Sequence, residues 1–157
     1  MLKGKCAIIT GASRGKGKCA VVTGAAKGIG KAIALKLASS GVNIVLNYRN
    51  SESEALELKN ELDKLGSNTL TIKADISKFD EAEKLIKEAK NTFGKIDILV
   101  NNAGITKDTL IIRMKEEDFD NVIEVNLKGA FNCLRAISPI MVKQKEGKII
   151  NMSSVVG

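Results

Sequence analysis

The chain has 157 residues and carries 25 lysines and arginines against 18 aspartates and glutamates, a formal net charge of +7 at pH 7. Its 44% hydrophobic and 27% charged content are ordinary for one globular domain; no apolar run approaches membrane-spanning length, and with 3% aromatic residues no basic run is interleaved with stacking residues for nucleic acid. The absence of histidine excludes Ser-His-Asp and Cys-His chemistry and histidine metal sites. The three cysteines imply neither a zinc site nor a disulfide framework, so no metal is expected and the expected setting is a reducing cytoplasm.

The first element is written twice. Residues 3–17, KGKCAIITGASRGKG, recur at an offset of 13 as KGKCAVVTGAAKGIG at 16–30, so Cys6 and Cys19 are one residue counted twice. Each copy is a short apolar strand run followed by a glycine-rich turn, which brings backbone N–H groups against a phosphate when a helix follows. After Gly30 comes KAIALKLASSG, with Ile29, Ala32, Ile33 and Leu37 near helical spacing and Gly41 as a stop. After Gly17 comes only another strand, and Lys16 stands where the second copy has Ile29, the position expected to pack the helix on the sheet. Cofactor binding is therefore assigned to Gly24, Gly28 and Gly30, with Lys27 and Ile29 in the same turn. Residues 1–15 are read as a duplicated addition that frays or lies along an edge, and 16–157 as the domain.

Further strand runs follow at 42–48, 69–74, 96–102 and 148–153. The second ends in Asn47, Tyr48, Arg49 and Asn50, where a site preferring NAD carries an acid to hold the ribose hydroxyls. Arg49 and Lys27 stand instead where a 2′-phosphate could sit, which favours NADP(H). Ser51 with Glu54 reads as a capping box before Ala55, Leu56, Leu62 and Leu65. Asp75, past the third strand, is placed either to bond an adenine amino group or to begin a turn. Ser77 with Asp80 reads as a second capping box, before Ala82, Leu85, Ile86, Ala89 and Phe93 on one face. Gly66 and Gly94 punctuate the returns.

The fourth strand closes in Asn101-Asn102-Ala103-Gly104, small residues that let a cofactor approach and amides that tie loops together. One long helix is predicted from 116 to 145, with Phe119, Val122, Ile123, Leu127, Phe131 and Leu134 on a stripe. Asn126 falls among Ile123, Leu127 and Ala130 on its apolar side, where a lone amide needs partners. Ser154 follows the last strand. Strands alternating with helices predict an α/β fold, a Rossmann-type doubly wound parallel sheet.

TGAAKGIG, the pair Asp75-Ile76, NNAG, Asn126 and Ser154, in that order, resemble the short-chain dehydrogenase/reductases, over essentially all of 16–157. The block 101–133 is similar to the branch of that family that reduces 3-oxoacyl thioesters on acyl carrier protein. The resemblance implies a strand order 3-2-1-4-5 and a hydride passed from NADPH to the keto carbon. It casts Asn126 as support of a water relay and Ser154 as the group orienting the substrate carbonyl, both catalytic, and it places Asp75, Ile76, Asn102, Ala103 and Gly104 on the cofactor. It implies a homotetramer built through the long helix and the one after it, and carrier docking near Lys143, Lys145 and Lys148. The proton donor and its partner, a Tyr-x-x-x-Lys pair, lie downstream of that serine in the family. The only tyrosine here is Tyr48, followed four residues on by Glu52. The domain is thus expected to be cut after its fifth strand, inactive alone, and left with 148–153 as an exposed edge. A non-catalytic dinucleotide-binding fragment, an interaction role, and a sister alcohol, sugar or steroid dehydrogenase stay open as alternatives.

Overall fold

In the computed structural model the described residues are 17–154. Residues 1–16, with most of the first copy of the repeat, lie outside them. Five parallel strands form one sheet in the order β3-β2-β1-β4-β5: β1 (Cys19–Val22), β2 (Asn43–Tyr48), β3 (Thr69–Lys73), β4 (Ile98–Asn101) and β5 (Lys148–Asn151). The central strand comes from the second copy. Its four residues are all fully buried, because helices cover both faces of a parallel sheet. The alternating side chains sort into two cores. Ala20, Val22, Ile44, Leu46 and Val100 pack under α1 (Gly28–Ala38) and α2 (Glu52–Lys64). Cys19, Val21, Val45 and Leu99 pack under α3 (Phe79–Phe93) and α5 (Gly129–Gln144). Among the described residues no helix is long and apolar enough to cross a membrane.

Several local expectations are corrected. Helix α1 lays Gly30, Ala34, Leu37 and Ala38 on the sheet, whereas Ala32 is exposed and Ile29, at 43% exposure, faces away from it. On α2 the buried residues are Ala55, Leu58 and Leu62, with Leu56 and Leu65 exposed. Neither capping box forms. Ser51 is the N-cap of α2 but makes no side-chain cap bond. The Ser77 hydroxyl turns back to donate to Asp75 Oδ1 at 2.7 Å, and α3 begins two residues later behind Lys78. On α3, Ala82, Leu85, Ile86 and Ala89 are buried as predicted.

The long helix is not continuous. It runs as α4 (Glu116–Ile123), a π-helical turn (Glu124–Lys128) and then α5. Phe119, Ile123, Leu127 and Phe131 of the apolar stripe are exposed, while Asn132, Cys133 and Ile137 face the sheet.

Candidate functional site

The glycine turn is stapled to the end of β4. Thr23 is fully buried, and its hydroxyl donates to the Val100 carbonyl (3.2 Å) while accepting from the N–H groups of Asn102 (3.0 Å) and Ala103 (3.1 Å). A hydroxyl has one proton and two lone pairs, so its bonding capacity is filled. The Asn102 amide donates back to the carbonyls of Thr23 (3.0 Å) and Gly24 (3.2 Å). These bonds draw two backbones together so closely that a Cβ on Gly24 would stand 2.8 Å from Ala103 Cα, and one on Gly30 2.6 Å from the Gly24 oxygen. Gly24 and Gly28 both sit at φ +61°, where a Cβ is strained. Each glycine of the motif thus has its own reason.

Helix α1 opens on this turn with no acid in its first turn and no side-chain cap, whereas α2, α3 and α4 each carry two or three acids there. An anion meeting α1 finds unbonded N–H groups and the positive end of the helix dipole, unopposed by carboxylates.

The turn forms one wall of a cleft of about 470 Å³ at the carboxyl ends of the strands. Gly24, Lys27 and Ile29 line that wall; Asn47, Arg49, Asp75 and Ile76 line the end above β2 and β3; Asn102, Ala103 and Gly104 line the opposite wall, continued by Ile105 and Val125. The structure therefore brings ten of the singled-out residues together. Gly28 and Gly30 shape the turn without lining the cleft. Asn126 and Ser154 are not in the lining either, and Ser154 lies beyond β5.

Lining the cleft does not leave a side chain open to a ligand. The Asn47 amide donates to the carbonyls of Ala74 (2.9 Å) and Ile72 (3.4 Å), and its oxygen accepts from Gly24 N–H (3.4 Å). It ties β2, β3 and the glycine turn together. Arg49 Nη1 stands 3.8 Å from Asp75 Oδ2, so the residues read for the 2′-phosphate and the adenine face each other across the cleft's end. Burial works to raise the Asp75 pKa, but the hydroxyl and N–H of Ser77, with Arg49 and Lys78 beside it, outweigh that and hold the carboxyl below its ordinary value. The buried Tyr48 hydroxyl donates to Glu52 at 3.3 Å, and burial together with that carboxylate raises its pKa.

Asn126 is exposed, not a core amide, yet both its polar atoms are engaged. Its oxygen accepts from Ile105 N–H (2.8 Å) and its nitrogen donates to the Ile105 carbonyl (3.0 Å). It sits in the π turn, a distortion that recurs at functional sites. Two buried residues that bond the backbone of loops beside the cleft, Thr23 and Asn132, were not singled out in the sequence. Thr23 carried a weak signal, a polar residue closing an all-apolar strand. Asn132 carried none. Among the described residues no group of three Cys, Asp or Glu is placed to hold a metal ion.

Residues 18–157 match the short chain dehydrogenase family. The 3-oxoacyl-[acyl-carrier-protein] reductase FabG of Staphylococcus epidermidis is 49% identical over 153 residues, covering 98% of this chain and 57% of that protein. The 3-oxoacyl-[acyl-carrier-protein] reductase of Synechocystis is 49% identical over 156 residues, covering 99% and 58%. The chain thus spans a little over half the length of these curated relatives. Among solved structures, an NAD⁺-bound xylitol dehydrogenase superposes with a TM-score of 0.88 at 32% identity, covering 92% of this chain and 55% of its own. A short chain dehydrogenase from Mycobacterium avium gives 0.84 at 36%, covering 90% and 55%.

Proposed function

The chain belongs to the short-chain dehydrogenase family, and from that premise we propose that it forms the cofactor-binding part of an NADPH-dependent reductase of 3-oxoacyl thioesters carried on acyl carrier protein. Family membership makes it an oxidoreductase by kinship and implies a nicotinamide dinucleotide. The observation that carries the reading is the cleft itself. It opens between β1 and β4, where the strand order reverses, with an acid-free helix N-terminus at its wall. The acyl-carrier substrate rests on the likeness to the bacterial and cyanobacterial reductases.

The residues present fit such a cofactor. The first N–H groups of α1 take the pyrophosphate, and Lys27 and Arg49 take the 2′-phosphate at the end of β2, where the residues Asn47 to Asn50 include no acid. Asp75 and Ile76 hold the adenine, while Ala103 and Gly104 admit the nicotinamide ribose. NADPH, when bound, supplies the hydride that reduces the keto carbon. Asn126 holds the Ile105 wall and keeps an acceptor lone pair for a water, and Ser154 orients the keto oxygen. A Tyr-x-x-x-Lys pair is absent from these 157 residues. Tyr48 does not replace it, because its neighbour is a carboxylate that raises its pKa instead of a lysine that lowers it. The chain as given therefore binds NADPH without turning substrate over. Carrier docking at Lys143, Lys145 and Lys148 and a homotetramer built through the long helical run of α4 and α5 and the helix after it belong to the same reading of the whole protein, as does a cytoplasmic location.

Fluorescence titration with NADPH, with NADH as control and acetoacetyl thioester in the same cuvette, tests this. NADPH-selective binding without turnover is expected. Equal affinity for NADH would remove the roles given to Lys27 and Arg49, and turnover would require another proton donor.

A further inference from the structure

The cleft's two outer walls are loops after β3 and β4, and a single helical run reaches both. Asn126 grips the second loop at Ile105. Six residues later Asn132, 3% exposed, donates through Nδ2 to the carbonyls of Ile76 (2.9 Å) and Ser77 (3.1 Å). Between them lies Gly129, and a Cβ there would stand 2.9 Å from Ile76 Cδ1. The Ile76 side chain therefore rests on the bare backbone of α5 while its carbonyl is held one turn further on. What these contacts hold is not only fold. Ile76 lines the cleft. Ser77 gives its N–H (3.0 Å) and hydroxyl (2.7 Å) to Asp75 Oδ1, and the other oxygen of that carboxylate faces Arg49.

We propose that Asn132 is a positioning residue for the adenosine end of the cleft. Its amide fixes the backbone of Ile76 and Ser77, and through Ser77 the direction of the Asp75 carboxylate toward Arg49. This rests on the dinucleotide reading above. The physical argument is that a buried carbonyl without a donor is costly, so a loop that loses two such bonds rearranges to recover them. The rearrangement displaces Ile76 and Asp75 together, because Asp75 is bonded to the same segment. An apolar replacement of similar shape fills the space and removes the amide, its donor to the two carbonyls included.

Gln144 supplies the control. Near the far end of α5 it bridges a loop backbone in the same way, accepting from Ile96 N–H (3.2 Å) and donating to the Ile96 carbonyl (2.8 Å), with no part in the cleft lining. The measurement is calorimetric titration of the 157-residue chain with 2′,5′-ADP, the adenosine half of the cofactor, alongside thermal unfolding of each variant. Asn132→Leu is expected to weaken 2′,5′-ADP about tenfold. Gln144→Leu is expected to lower the melting temperature by a similar amount and leave the affinity within about twofold. Gly129→Ala pushes on Ile76 without touching either amide and is expected to weaken binding several-fold, so it carries the test if Asn132→Leu does not fold. Wild-type affinity in a folded Asn132→Leu or in Gly129→Ala, or equal weakening by Asn132→Leu and Gln144→Leu, overturns the proposal. Failure of the unaltered chain to bind 2′,5′-ADP instead overturns the dinucleotide reading, and this inference with it.

Discussion

At the scale of single residues, the site is a set of amides and one carboxylate whose partners are backbone. Asn47, Asn102, Asn126 and Asn132 each bind main-chain groups across the sheet's carboxyl end, so the loops there are held by side chains rather than by a ladder. Asp75 gives this arrangement a pH signature. Its folded pKa lies below the ordinary 3.8, so it contributes stability that is present above that value and is lost as pH falls through the folded one. Glu81, which accepts from Asp75 N–H at 2.7 Å, is shifted the same way. Chemical denaturation across the acid range should therefore show Asp75→Asn losing less stability than the unaltered chain as pH drops below 3.8, with the Glu81 share remaining. The choice of glycine was legible at this scale, since TGAAKGIG announces positive φ and close approach. That Arg49 meets Asp75 was not, because the two follow different strands, β2 and β3.

At the scale of elements, periodicity located every described strand to within two residues at each end. It misjudged what lies at helix ends and on helix faces. Ser77 had a choice between the α3 N–H groups and the Asp75 carboxylate two residues back; the charged acceptor won, and the capping box was lost. The stripe on 116–134 reads as core by spacing alone, but the face that α5 packs on the core carries Cys133, Leu134, Ile137 and Met141, and Phe119, Leu127 and Phe131 face outward. The end of α5 yields a prediction of its own. Its C-cap is Lys145 at φ +55°, a left-handed conformation in which Lys is strained and Gly is not. Lys145→Gly should stabilise the chain by about 1 kcal/mol, read as a higher melting temperature; a lower one would show that the lysine side chain outweighs its backbone strain.

At the scale of the molecule, the strand order leaves β3 and β5 as edges, and β5 is exposed along its whole length. Ile149 (41%) and Ile150 (37%) show apolar surface beside unpaired backbone, a pattern that recruits other chains. The 157-residue chain should self-associate, and Ile149→Thr with Ile150→Thr should lower its light scattering several-fold while nucleotide binding persists. A single sharp, reversible unfolding transition in a monomeric unaltered chain would count against this.

The amino-acid sequence by itself determined the parallel α/β architecture, a strand from the second copy of the repeat, and the glycine turn with its helix. These depend on short-range pattern, namely apolar runs, helical spacing and residues that tolerate positive φ. Only the tertiary structure decided which backbone groups the four asparagines hold, that Ile29 faces the cleft, and that Arg49 faces Asp75. Those contacts join residues as far as 79 positions apart, as between Asn102 and Thr23. Such partners become neighbours only once the sheet order is set, and no local period encodes them.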